Sequence, residues 1–114
     1  MTDQDPLAAS RAAFARYRHG LRADMEKPAT TDPALSSAMG ELYRPGAKIG
    51  SGSTAAAVRH ERATGGLVGG RTHTAKAQGY VLYLERWLLN NPDATPGDRA
   101  AAENVLLDLC DALL

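Results

Sequence analysis

The sequence has little to hold it together from outside and little to draw it to a partner at long range. Cysteine occurs once, at Cys110, so no internal disulfide framework can form, and a reducing compartment fits. Net charge is absent: 13 basic residues face 13 acidic ones, which excludes a global electrostatic pull toward nucleic acid or membrane. No segment approaches the roughly 20 apolar residues a membrane-spanning helix needs, and the N-terminus has no apolar core of signal-peptide length. Strand signals are almost missing, which argues against the strand-rich folds that carry ADP-ribosyl transfer. A single soluble domain with one modest core is what 114 residues leave.

What is present is concentrated. Between residues 44 and 76 lie Arg44, Lys48, Arg59, Arg62, Arg71 and Lys76 against one acid, Glu61, while the other acids fall mainly in the first 41 residues and the last 22. The same central stretch holds two of the three histidines, His60 and His73, and most of the 11 glycines. A basic middle flanked by acidic ends is implied, and any polyanion recognition must come from that local cluster.

The hydrophobic pattern is helical throughout. From Pro6 to about Lys27, Leu7, Phe14, Tyr17, Leu21 and Met25 recur at helical spacing among four arginines, an amphipathic helix. Residues 27 to 31 break the pattern, so residues 1–31 read as an arm and residues 32–114 as the body of the fold. Asp32 and Pro33 open a second helix to about Tyr43, ended by Pro45 and Gly46. Ser53 caps a third, about 54 to 64, closed by Gly65. Gly65 to Gly70 read as a loop or a brief two-residue bridge. Thr72 starts a fourth helix, about 73 to 90, and Thr95-Pro96-Gly97-Asp98 is close to a capping box for a fifth, about 97 to 113. The last two helices are long, periodic and closely connected, so the expected architecture is mainly α: a small helical domain with a C-terminal antiparallel helix hairpin and Gly-rich central loops. Cys110, Trp87 and Tyr83 read as packing residues, with Trp87 set against the last helix near Val105 or Leu109.

The central residues have chemistry in common. A helix opening on Ser or Thr after glycines gathers unpaired backbone N–H groups and the positive end of its dipole at one point, which attracts phosphate. Gly52, Ser53 and Thr54 are the expected phosphate cradle, with Arg44 and Arg71 as further phosphate contacts. The stretch Lys48-Ile49-Gly50-Ser51-Gly52-Ser53-Thr54 lacks the lysine directly before Ser/Thr of an ATP-binding phosphate loop, which argues against kinase or ATPase activity. Two histidines and a lysine suffice for cleaving an RNA phosphodiester: one base, one acid and one cation for the charge that builds on phosphorus. His60 and His73 are therefore the acid/base candidates, Lys76 and Arg59 the charge stabilisers, and Glu61 the residue that orients a neighbour. His60, Glu61 and His73 lack metal-ligand spacing, so neither a metal nor another cofactor is expected. A non-catalytic module that binds protein or nucleic acid through the same basic surface is the alternative.

The segments Leu42-Tyr43-Arg44-Pro45-Gly46, Gly50-Ser51-Gly52-Ser53-Thr54-Ala55, Arg59-His60-Glu61, Thr64-Gly65, Gly69-Gly70, His73 and Lys76-Ala77-Gln78 resemble the C-terminal toxin module of bacterial polymorphic toxins of the contact-dependent inhibition and Rhs classes. Asp98-Arg99-Ala100, Asp108-Leu109 and Asp111-Ala112-Leu113 extend the resemblance, which covers about residues 41 to 114. It implies a secreted or delivered effector that acts in the cytoplasm, often as a ribonuclease on RNA such as tRNA, and is neutralised by a cognate immunity protein. Because the sequence opens at Met1 with no long delivery region ahead of it, the expectation widens to a stand-alone toxin, a cargo effector or a domain reused for binding.

Overall fold

The computed structural model describes residues 25–47 and 49–114. Four helices account for most of them: α1 (Pro33–Leu42), α2 (Thr54–Thr64), α3 (Thr74–Asn90) and α4 (Pro96–Leu113). The domain is mainly α, as its periodicity predicts, and pairing of the strand kind is confined among the described residues to two isolated bridges, Tyr43 with Ser53 and Val68 with Arg71. The N-terminal helix read from Pro6 onward lies outside the described residues except at its end. There it is corrected, because residues 25 to 31 run into α1 without helical structure.

Three of the four helices start for a local chemical reason. The Asp32 carboxylate accepts from Leu35 N–H at 3.0 Å and Pro33 presets the first turn of α1. Ser53 Oγ accepts from Ala56 N–H at 3.0 Å and opens α2, and Thr95 Oγ1 accepts from Asp98 N–H at 3.1 Å and opens α4. Thr72 does not cap α3. The cap position falls one residue later, at His73, whose side chain makes no capping hydrogen bond.

The core is mainly aliphatic, joined by two aromatics, Trp87 and Tyr43. Leu35, Met39 and Leu42 of α1, Val58 of α2, Leu84, Trp87 and Leu88 of α3, and Val105, Leu106 and Leu109 of α4 form one buried cluster. Helices α3 and α4, linked by residues 91–95, share the most extensive helix interface, and α2 packs on both. Trp87 is 6% exposed and belongs to the cluster that holds Val105 and Leu109. Its indole N–H donates to the Asp32 carboxylate at 3.2 Å, so its polar edge is satisfied while the ring is buried. No helix among the described residues is long and apolar enough to cross a membrane.

Asp98 ties the segment before α1 to this core. Its carboxylate accepts from Thr31 N–H at 2.8 Å, Thr31 Oγ1–H at 2.8 Å and Asp32 N–H at 2.9 Å, and the residue is 4% exposed. The hydrogen bond from the Thr31 backbone is the main reason its carboxyl titrates below the ordinary range. Burial works against that, and the Thr31 hydroxyl, Asp32 N–H and Thr95 add to it.

Candidate functional site: a basic cavity with two histidines

Two glycine devices shape the loops that surround the site. The Tyr43–Ser53 bridge, with Arg44 N–H donating to Gly52 C=O at 2.9 Å, closes the stem of an excursion between α1 and α2. Gly52 sits at that closure with φ +83°, and a Cβ there would collide with the Arg44 carbonyl, so only glycine fits. The second device is the turn Val68-Gly69-Gly70-Arg71. Val68 and Arg71 exchange both backbone hydrogen bonds at 3.2 Å, with φ of 63° and 76° at the two glycines. Two consecutive positive φ values make this a tight two-residue hairpin that presents Arg71 at its end.

Between these loops and helices α1, α2 and α3 opens a cavity of about 960 Å³. Gly52, Ser53, Thr54, His60, His73, Lys76, Arg44 and Arg71 all line it. Arg44 and Arg71 are exposed and reach it from opposite loops, and the Arg44 guanidinium lies beside Gly69 of the hairpin. Lys76 Nζ donates to Glu41 C=O at 2.6 Å, where a cation also meets the negative end of the α1 dipole. An ammonium has three donors, so two are left for a ligand.

His73 is held at its place in the lining by two hydrogen bonds to one carboxylate. Glu61 reaches across from α2 and accepts twice from it, at 2.9 Å from the backbone N–H and 2.6 Å from Nδ1. Burial would raise the Glu61 carboxyl, but the bonds from the His73 N–H and ring and the attraction between the two side chains outweigh it and leave the carboxyl below its ordinary range. With Nδ1 committed to a carboxylate, the ring nitrogen left for a substrate is Nε2. His60, one position before Glu61, points elsewhere on α2, and it lines the cavity in its own right.

Two groups of expected site residues are otherwise engaged. Arg59 does not line the cavity. Its Nη2 is held at 2.6 Å by Asp108 and 2.9 Å by Asp111 of α4, and also donates to Asp108 C=O. Burial opposes its charge, and the two carboxylates more than restore it, raising its pKa. Arg62 similarly donates to the Leu114 backbone oxygen. Ser53 and Thr54 line the cavity, but Ser53 Oγ caps α2 and the Thr54 hydroxyl donates to Leu42 C=O at 3.3 Å, so the donors they leave at the helix start are backbone N–H groups. Lys48 lies outside the described residues. No group of three or more His, Cys, Asp or Glu that could hold a metal ion is gathered among the described residues.

Sequence reasoning passed over Glu41, Leu67 and Val68, which also line the cavity. Glu41, the last residue but one of α1, reads as an ordinary surface acid, and nothing local to it signals that Lys76, 35 residues on, will seek its carbonyl. The apolar pair in the Gly-rich stretch carried a signal only as an interruption between two glycine pairs.

The chain matches no family model, no curated protein and no solved structure. Its function therefore has to be argued from the cavity itself.

Proposed function

We propose that this domain cleaves RNA phosphodiesters by acid/base catalysis drawn from its own side chains, as a toxin-like effector would. The observation that carries the reading is the convergence of His60 and His73 on one cavity with Lys76, Arg44 and Arg71, with His73 Nδ1 held by Glu61 at 2.6 Å. In this reading His73 Nε2 takes the proton from a ribose 2′-hydroxyl, whose oxygen attacks phosphorus. His60, protonated, delivers a proton to the departing 5′-oxygen, leaving a 2′,3′-cyclic phosphate and a free 5′-hydroxyl. Glu61 holds the His73 ring and favours the imidazolium that forms. Lys76 faces the charge that builds on the phosphoryl oxygens, and Arg44 and Arg71 hold flanking phosphates. The resemblance to toxin modules extends the proposal to action in a cytoplasm and neutralisation by an immunity protein.

Purified protein incubated with total RNA tests it. Cleavage is expected to persist in chelator and to follow a bell-shaped pH profile, because one imidazole must be neutral while the other is protonated. His60→Ala and His73→Ala should each lower the rate by on the order of 100-fold. If both variants cleave and bind like the parent, the chemistry lies elsewhere; if the parent binds RNA without cleaving it, the domain is an interaction module.

A further inference from the structure

Beside the cavity lies a second recess of about 450 Å³ between α1 and α3, lined by Ala34, Ser37 and Ala38 on one side and Gly79, Tyr80 and Tyr83 on the other. Glu41 and Lys76 line both recesses, so the two adjoin where the Lys76 ammonium is anchored. We propose that this groove is a nucleobase subsite, which receives one base of a single-stranded RNA whose adjoining phosphate lies in the basic cavity. The inference rests on the reading of the cavity as a phosphate site and adds the substrate class: unpaired RNA, held by a base as well as by its backbone.

Three features carry it. Tyr80 and Tyr83 have ring centroids 5.9 Å apart with planes at 66°, an edge-to-face pair. Such a pair offers a stacking face to one flat ring and no parallel slot for two, and stacking on an aromatic side chain is the sequence-tolerant way to hold an unpaired base. The Tyr83 hydroxyl reaches toward Ala34 C=O across the groove, a long contact of 3.4 Å.

The second feature is Gly79. It lies in the interior of α3, where glycine is a poorer helix former than alanine. Its φ is not of the left-handed kind, and a Cβ added to it would meet nothing within 4 Å. Neither backbone geometry nor packing among the described residues accounts for a glycine here. An unfilled wall beside two tyrosines does account for it, because any side chain would narrow the recess.

The third feature is position. Lys76 precedes Tyr80 by one helical turn, so the cation that meets phosphate and the ring that meets a base share one face of α3. A nucleotide carries those same two groups linked through one sugar.

The test compares two short single-stranded probes of equal length and charge, a 2′-O-methyl oligoadenylate and its abasic counterpart with the same blocked 2′ positions, which 2′-hydroxyl attack cannot cleave, binding to the parent, Tyr80→Leu and Gly79→Leu in a titration at low salt. Both variants should bind the oligoadenylate on the order of 10-fold more weakly while holding the abasic probe as the parent does. Gly79→Leu should meanwhile melt no lower than the parent, because leucine is the better helix former, so weaker binding cannot be assigned to a damaged fold. Should the variants lose both probes equally, or neither, with the abasic probe still bound by the parent, the base subsite is wrong and the phosphate cavity stands. A parent that binds neither probe overturns both readings.

Discussion

Arg59 and His60 are neighbours on α2. Arg59 is turned toward α4, where Asp108 and Asp111 hold its guanidinium, whereas His60 lines the cavity. The basic cluster of the central sequence divides along the same line. Arg44, Arg71 and Lys76 belong to the cavity, and Arg59 and Arg62 fasten the end of the last helix. A local excess of positive charge in the sequence is therefore not the charge a ligand meets, because folding has neutralised Arg59 with acids from the C-terminal stretch. What remains at the cavity among the described residues is Arg44, Arg71, Lys76, His60, and His73 with its Glu61 carboxylate.

The division between held and available side chains can be broken at several points. Trp87 is the extreme of the held class, and Trp87→Ala should destabilise the domain by roughly 3–5 kcal/mol in urea unfolding, by removing a buried ring and leaving a cavity. A loss under about 1 kcal/mol would mean the ring is not part of the core. Arg59→Ala should cost about 2 kcal/mol, less than the 3–5 kcal/mol of a fully buried pair, because the guanidinium keeps some contact with water. Its RNA cleavage at a temperature where it stays folded should match the parent. If Arg59→Ala loses activity at unchanged stability, the two faces of α2 are not separate. Arg71→Ala is the mirror case: stability should stay within about 0.5 kcal/mol, and the slope of RNA affinity against salt should fall by about 0.7, the share of one phosphate contact on a single strand.

The smallest effect concerns acid. Glu61 and Asp98 both titrate below their ordinary range in the folded chain. A depressed folded value means the unfolded chain takes up protons first, so the stabilisation from each is fully present above the unfolded carboxylate value and is lost as pH falls through the folded one. Melting temperature should accordingly hold steady near neutrality and fall below about pH 4. Asp98→Asn should lower the neutral-pH melting point and flatten the acid slope. An unchanged slope in that variant would show that its bonds to Thr31 and Asp32 do not contribute.

The helices were legible because most of their signals are local: Asp32-Pro33, Ser53 and Thr95-Pro96 announce three starts within three residues, and Leu84, Leu88, Val105 and Leu109 repeat at the helical period. The misplaced start of α3 has the opposite cause. Thr72 has the chemistry of a cap, but Glu61, 12 residues away, takes the His73 N–H and sets the first turn one position later. For the cavity, the sequence assembled the right neighbourhood because most of its residues fall within one stretch of chain. It could not sort Arg59 from Arg71, since that depends on Asp108, 49 residues further on, and on which side of α2 the last helix packs. Glu41 and Asp98 were out of reach for the same reason. Their partners are distant in sequence and are chosen by helix packing.

The bonds from Thr31 and Asp32 to Asp98, spanning 67 and 66 residues, also decide where the polypeptide can be shortened. A fragment beginning at residue 30 would retain every donor to that carboxylate together with the Asp32 cap of α1. One beginning at Pro33, the first residue of α1, would strip away three donors, the cap and the acceptor for the Trp87 indole at a stroke. The N-terminal limit of any shortened chain that keeps these bonds is thus set two residues ahead of the first helix, by an acid at the start of the last one.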